Sequence, residues 1–329
     1  MTAPRIVLLG DICIDLLLAV DMYPEHGADG MAERLDMQVG GGTNNSAITL
    51  SRLGVKAVPL ACTGRDAWAD YLLDRMASVG VHIQHICTKP EATTGITIVA
   101  VTPDGERTMF SYRGANILYS PQDVLEDAFD GAGWLHLSAY ALLEPPQRDA
   151  LWRAVELAHR RKIPVSLDLN DDVVLRRPNE VLRLLPRLHT CILGRRELEW
   201  LGEEAGFEGG LDRLLEMGVT LAAVKLGSAG CLLATAEQRL SFPPFAIEVV
   251  DTTGAGDAFS AGIVYAGLHS MSLPAMAVLA SVLGALTTQV QGAGLAMPGR
   301  AEVLTLLQAQ SGEIEGVLEV IRALTANDH

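Results

Sequence analysis

Short, unbroken apolar runs alternate along this chain with longer segments whose apolar residues recur every three or four positions. The first class reads as strands covered on both faces, the second as helices with one buried face. Arg5–Gly10 (RIVLLG), Ala57–Gly64, Trp134–Ser138, Ile163–Asn170 (IPVSLDLN) and Thr190–Gly194 belong to the first class. Asp66–Gly80, about Pro146–Lys162 and Arg195–Leu201 belong to the second, and Gly80 is a natural helix stop. Such alternation predicts a mostly parallel sheet with right-handed crossovers. One stretch breaks the rhythm. Thr94–Val101 and Thr108–Arg113 flank the strong turn Pro103–Glu106 (PDGE), which predicts a β-hairpin outside the wound sheet. Later, Val224–Leu232 (VKLGSAGCL) predicts two strands around a Gly-x-x-Gly turn, and Leu273–Val290 a buried segment. Arg300–Ala309 predicts a surface helix, with frayed residues at the chain end.

The chemistry concentrates in residues 249–268, VVDTTGAGDAFSAGIVYAGL. Val249 and Val250 close an extended run, and Asp251, Thr252 and Thr253 make a turn. Gly254, Ala255 and Gly256 let a ligand approach the backbone, and Asp257 heads a helix from about Ala258 to Leu268. Free N–H groups and the positive dipole end make such a helix start an anion site. A carboxylate beside an anion site makes sense if one holds a phosphate and the other takes a proton from an attacking hydroxyl. Taken alone, Gly-Ala-Gly-Asp is equally a tight turn with an Asp cap. A second glycine-rich stretch, Gly40–Gly54 (GGGTNNSAITLSRLG), leads into a helix capped by Thr43 or Asn44, with Ala47, Ile48, Leu50 and Leu53 on its buried face. Asp11 and Asp15 follow the first strand at its C-terminal end, where open α/β sheets bind ligands. Asp11 is equally a turn residue. Asp15 precedes Leu-Leu-Leu-Ala-Val, where a carboxylate is costly without a partner.

Composition narrows the field. The chain has 329 residues, 49% hydrophobic and 20% charged, enough for a large core. Its net charge of −15 argues against nucleic acid or an anionic membrane as partner, though not against an anionic substrate. Five cysteines, Cys13, Cys62, Cys87, Cys191 and Cys231, are scattered without a C-x-x-C pair, which reads as buried free thiols of a reducing cytoplasm rather than a zinc site. The N-terminal stretch lacks the shape of a signal peptide, and no long apolar run predicts a membrane span. No G-x-x-x-x-G-K-[ST] loop is present, and no G-x-G-x-x-G follows the first strand, so a dinucleotide-dependent dehydrogenase fits poorly.

The longer string DTTGAGDAF resembles the signature of the ribokinase-like (PfkB-type) carbohydrate kinases, and Gly40–Gly54 is similar to that family's first signature. The resemblance covers nearly the whole chain. It implies a three-layer α/β/α fold with a central, mostly parallel sheet, read here as a single domain over residues 1–329. It also implies a small β-sheet lid inserted at roughly 13–39 and 94–113. Asp257 would be the catalytic base, with the amides of Gly254, Ala255 and Gly256 holding the phosphoryl group in flight. Asp15, Gly41, Gly42 and Asn45 would bind the sugar. Gly42 stands where some ribose-specific members carry Lys. Lys225, Gly227, Gly230 and Ser281 would lie along the nucleotide. Glu197 would reach magnesium through water, although Gly194 replaces the family's usual Asn. Asp251 and Thr253, with the turn Gln291–Gly294, would hold a monovalent cation such as potassium. Around Asp168 and Asn170 the family's Arg is missing, and Asp171 and Asp172 follow instead.

Residue type adds further candidates. Arg113 is either a solvated charge or a contact to an anionic group on the substrate, and Asn116 offers a hydroxyl contact. Arg195 and Arg196 are cations near the supposed phosphates, or simply solvated. The run Ile96–Val101 is apolar for an exposed sheet and predicts lid-to-lid homodimers. The expectation is thus a cytoplasmic kinase using ATP and Mg2+ on a sugar or sugar acid of ribose, fructose or 2-keto-3-deoxygluconate type. A nucleoside kinase of the same fold and a non-catalytic sugar sensor are the rivals. The 5% aromatic content tilts against a base-binding slot.

Overall fold

The computed structural model describes residues 4–103, 106–309 and 314–326. Its strands are β1 Arg5–Leu9, β2 Cys13–Val20, β3 Ala32–Gly40, β4 Lys56–Thr63, β5 Ile86–Thr88, β6 Gly95–Val101 and β7 Arg107–Tyr112. They continue with β8 Ala132–Ser138, β9 Val165–Asp168, β10 Thr190–Gly194, β11 Leu221–Lys225, β12 Cys231–Ala234 and β13 Arg239–Phe242. Nine form one sheet in the order β13-β12-β11-β10-β9-β8-β1-β4-β5. The pairings from β5 through β11 are parallel; β11–β12 and β12–β13 are antiparallel.

The pleat explains the unbroken apolar runs. Ile6 and Leu8 of β1 point into one core, Val7 and Leu9 into the other, and all four are fully buried. The first core is completed by the helices Gly42–Arg52, Ala255–Leu268 and Leu273–Thr288. The second is completed by Gln147–Arg160, Pro178–Leu184 and Gly206–Glu216. Helices on both faces of a mostly parallel sheet make the expected three layers. Each fully buried aliphatic side chain contributes roughly 1.5–3 kcal/mol.

The remaining four strands form a separate sheet, order β3-β2-β6-β7. β6 and β7 make the expected hairpin, and β6 also pairs in parallel with β2. Asp104 and Gly105 of its turn lie outside the described residues. Register sorts the side chains into two faces. Leu16 stands opposite Met37 and Ile98, and Ile98 opposite Phe110, an apolar row. Asp15 stands opposite Gln38 and Thr97, and Thr97 opposite Ser111, a polar row on the other face. Arg107 shares the parity of Ser111 and so lies on that polar face.

Three expectations are corrected. Cys62 and Cys87 are not free: β4 and β5 are adjacent parallel strands with these two residues in register, and they form a disulfide. Cys13, Cys191 and Cys231 are buried free thiols. The chain end is not merely frayed, because Val317–Thr325 is a helix that buries Val317, Val320 and Leu324 on the core. Val249 and Val250 close no strand; β13 ends at Phe242, and both valines lie exposed in an irregular segment. Among the described residues no helix is long and apolar enough to cross a membrane.

Candidate active site

Parallel strands place their C-terminal ends on one edge of the sheet. Asp11 follows β1, Asp168 ends β9, Gly194 ends β10 and Lys225 ends β11. The helix Ala255–Leu268 starts beside them. It begins three residues earlier than the sequence suggested, with Gly254 as its N-cap at φ 76°, a left-handed conformation suited to glycine. The first intrahelical bond runs from Ala258 N–H to the Gly254 carbonyl at 2.9 Å. The amides of Ala255, Gly256 and Asp257 therefore precede the helical ladder, and that of Ala255 makes only a long turn bond, 3.3 Å, to the Thr252 carbonyl. Gly-Ala-Gly-Asp is thus itself the cap and first turn, with Asp257 as the third residue of the helix.

Asp257 is held from the second glycine-rich segment. The helix Gly42–Arg52 is capped by Gly41, not by Thr43 or Asn44, and no side chain caps it. This starts the helix early enough to bury Asn45, whose Nδ2 donates to Asp257 Oδ2 at 2.7 Å. Ser46 Oγ donates to the Asp257 carbonyl at 3.2 Å. A Cβ at Gly42 would stand 3.0 Å from Asp257 Oδ1, so glycine there keeps the carboxylate unobstructed. Burial pushes the Asp257 pKa up to about 6, and the charge of Asp168 adds to the rise; Asn45 and Lys225 oppose it. Such a group is mostly ionised near neutrality yet basic enough to accept a proton.

Asp15 projects from the polar face of the small sheet. Burial raises its pKa to about 6 as well, against the hydrogen bond that the Cys13 thiol donates at 3.2 Å. Any side chain at Gly40 would collide with this carboxylate.

Beside the start of the helix Ala255–Leu268 lies a cleft of about 580 Å³. Phe245, Ile247, Phe259 and Ala285 give it apolar walls, and Lys225, Gly227, Gly230, Ser281, Ala255 and Gly256 also line it. Lys225 Nζ donates to Asp168 Oδ1 at 2.6 Å, and Asp168 Oδ2 accepts from Ser260 Oγ at 3.0 Å. Burial opposes the Lys225 charge, but Asp168 holds its pKa above the ordinary lysine value. Glu197 is buried, and burial raises its pKa; one carboxylate oxygen accepts the Gly194 N–H at 2.9 Å.

The turn after the helix Leu273–Thr288 joins these parts. Three consecutive amides donate to three different regions: Gly292 to Asp251 Oδ2 at 2.8 Å, Ala293 to Gln38 Oε1 at 3.2 Å and Gly294 to Asn45 Oδ1 at 3.1 Å. Asn45 thus spends its acceptor on this turn and one donor on Asp257, so here it positions the carboxylate.

Several candidates are placed differently from expectation. Arg113 pairs with both oxygens of Asp11, at 2.6 and 2.9 Å, and also reaches Glu144 and Gln147, so its guanidinium is engaged within the protein. Asn116 bonds both the N–H and the carbonyl of Ile12, fixing the passage from β1 to β2 instead of offering a hydroxyl contact. Arg195 and Arg196 take the solvated alternative, exposed in surface pairs with Glu199 and Asp171. Asn170 caps the helix Asp171–Arg176. Asp251 and Thr253 are brought together, but by Arg107 of β7, which bonds Asp251 Oδ1 at 2.5 Å and the hydroxyls of Thr252 and Thr253. Sequence reasoning missed Arg107, the Asp168–Lys225 pair and the role of Gln38. The roles of Arg107 and Gln38 follow from sheet register across β2, β3, β6 and β7, which the sequence does not display.

Comparison with known proteins places the chain in a family. A family model described as pfkB family carbohydrate kinase matches residues 3–300. The chain is 29% identical to the aminoimidazole riboside kinase of Salmonella typhimurium, over 83% of this chain and 88% of that protein. It is 31% identical to a fructokinase of Klebsiella pneumoniae, over 89% of this chain and 96% of that one. The Arabidopsis thaliana ribokinase solved with ribose and ATP superposes with a TM-score of 0.80 at 25% identity, covering 93% of this chain and 99% of that chain.

Proposed function

The chain belongs to the pfkB family of carbohydrate kinases, and from that premise we propose that it moves the γ-phosphoryl of ATP to a hydroxyl of a small sugar or sugar acid, with Asp257 as general base. It is a phosphotransferase acting on a sugar or nucleoside. The observation that carries the finer reading is the Asp257 carboxylate. It is fixed by Asn45, raised by burial to about 6, and set in a helix turn whose Ala255 and Gly256 line an apolar cleft.

Asp15 and Asp257 approach the acceptor from two sides. Asp15 orients a hydroxyl of the polyol, and Asp257 takes the proton from the attacking one. The amides of Gly254, Ala255 and Gly256 stabilise charge on the phosphoryl oxygens as the bond to the leaving oxygen lengthens. Lys225, held by Asp168 against the same wall, adds positive charge beside them. Glu197 is the buried carboxylate that would hold, through water, a magnesium ion arriving with the nucleotide, and that ion would supply neutralising charge at the phosphates. The small sheet covers the acceptor and excludes competing water. Its outer face leaves Leu35, Ile98, Phe110 and Tyr112 exposed, which supports a homodimer through that face. The cleft, with Lys225 on its wall, supports ATP as the phosphoryl donor.

A magnesium-dependent ADP-release screen across ribose, fructose, keto-deoxy sugar acids, phosphorylated sugars and nucleosides tests the reading. Release with a sugar or sugar acid is expected. Release with nucleosides alone favours the riboside-kinase alternative that the Salmonella relative suggests. Binding without release indicates a sensor.

A further inference from the structure

The loop that leads into the anion-binding helix already contains a cation. Asp251 Oδ1 accepts from the Thr253 amide at 2.9 Å and the Thr253 hydroxyl at 2.7 Å, while Oδ2 accepts from Gly292. Into this group of oxygens β7 inserts the Arg107 guanidinium, bonded to Asp251, Thr252 and Thr253. The Asp251 side chain is 9% exposed and that of Arg107 21%, so the pair is largely shielded from solvent. A metal cation placed among the same oxygens would lie against a fixed positive charge. Like charges this close repel, and more strongly where solvent is excluded. The oxygens are also committed as acceptors of nitrogen and hydroxyl donors. This set of oxygens, already paired with a guanidinium, does not suit a second cation.

We propose that Arg107 is the built-in cation of the phosphate-binding loop, supplied by the lid sheet, and that it makes the enzyme independent of potassium. The loop depends on this charge for a geometric reason. Asp251 orders Gly292, the same turn orders Asn45 through Gly294, and Asn45 orders Asp257. Residues 251–253 also run directly into the Gly254 cap. Neutralising Asp251 therefore steadies both the amides and the base. Because Arg107 belongs to the lid, the loop receives its charge only while the lid is seated. Arg107 is a positioning residue; it acts through Asp251 and touches no reacting atom.

The proposal rests on the kinase reading for its catalytic part, so the test has a ligand-free arm. Melting temperature and amide exchange are measured on the whole, ligand-free protein in choline chloride and in potassium chloride of equal ionic strength. The wild type is expected to behave identically in both salts. Arg107→Ala is expected to lose protection at Gly292 and Thr253, and to regain stability on adding potassium or guanidinium ions. In turnover, the wild type is expected to be indifferent to potassium, and Arg107→Ala to lose about tenfold or more in choline, with partial rescue by either ion. Arg107→Lys, which keeps the charge, serves where the alanine variant fails to fold and is expected to retain salt indifference. A wild type that melts higher or turns over several-fold faster in potassium overturns the proposal. So does an alanine variant with unchanged Gly292 protection. Absence of phosphotransfer to any acceptor overturns the kinase reading alone and leaves the ligand-free results standing.

Discussion

The two sheets of this protein use opposite designs. In the nine-stranded sheet both faces are covered, so every β1 residue from Ile6 to Leu9 is fully buried and side-chain parity only chooses between two cores. In the four-stranded sheet one face looks into the site with Asp15, Gln38, Thr97 and Arg107, and the other exposes Leu35, Ile98 and Phe110. The first sheet is a scaffold whose edge carries Asp168 and Lys225. The second is a surface whose register decides which side chains face the site. A one-residue slip would exchange its two faces, sending Asp15 and Arg107 outward. Such a slip in the large sheet would exchange one apolar set for another.

The contrast can be broken or sharpened experimentally. The largest effect is expected at the site between the sheets: Asp257→Asn should lower turnover roughly 10²–10⁴-fold while leaving the melting profile intact. An ADP-release assay that finds normal turnover removes this carboxylate from the chemistry. Next comes stability. Leu8→Ala in the large sheet should cost about 2–5 kcal/mol in denaturant unfolding, whereas Leu35→Ala on the exposed lid face should cost about 0.5 kcal/mol or less. Equal losses would erase the distinction between scaffold and surface. Third, Phe110→Asp should convert dimers to monomers in sedimentation velocity without unfolding them; a wild type that already sediments as a monomer disposes of the lid interface.

The smallest effect is a pH shift. A base must be ionised to work, so kcat/KM should rise with pH through a limb near 6 and level off above it. Asp15 and Asp257 both titrate there, so the limb belongs to the pair. Asp168→Asn removes a like charge from Asp257 and frees Lys225 to stabilise its ionised form; both move the limb to lower pH. A limb that moves upward or stays in place means that Asp168 does not act on the base.

Much of the scaffold was legible before any coordinates. Thr190–Gly194 was bounded correctly to the residue, and Arg5–Gly10 to within one. The reason is local: a strand covered on both faces must be apolar throughout, and this leaves an unbroken run. Helix starts were less legible. Gly41 and Gly254 cap their helices without any side-chain bond, so the familiar Ser, Thr, Asp or Asn signal was absent or pointed a few residues too late. The Cys62–Cys87 bond followed from two strands being neighbours, which spacing alone did not reveal.

By itself the chain determined its alternation of strands and helices, its hairpin and the string DTTGAGDAF with a carboxylate beside small residues, since periodicity and composition are written in adjacent positions. Only the tertiary structure decided which charges meet. Arg107 reaches Asp251 across 144 positions and Asn45 reaches Asp257 across 212. Those meetings depend on sheet register and helix placement, and no local pattern of hydrophobic and polar residues encodes them.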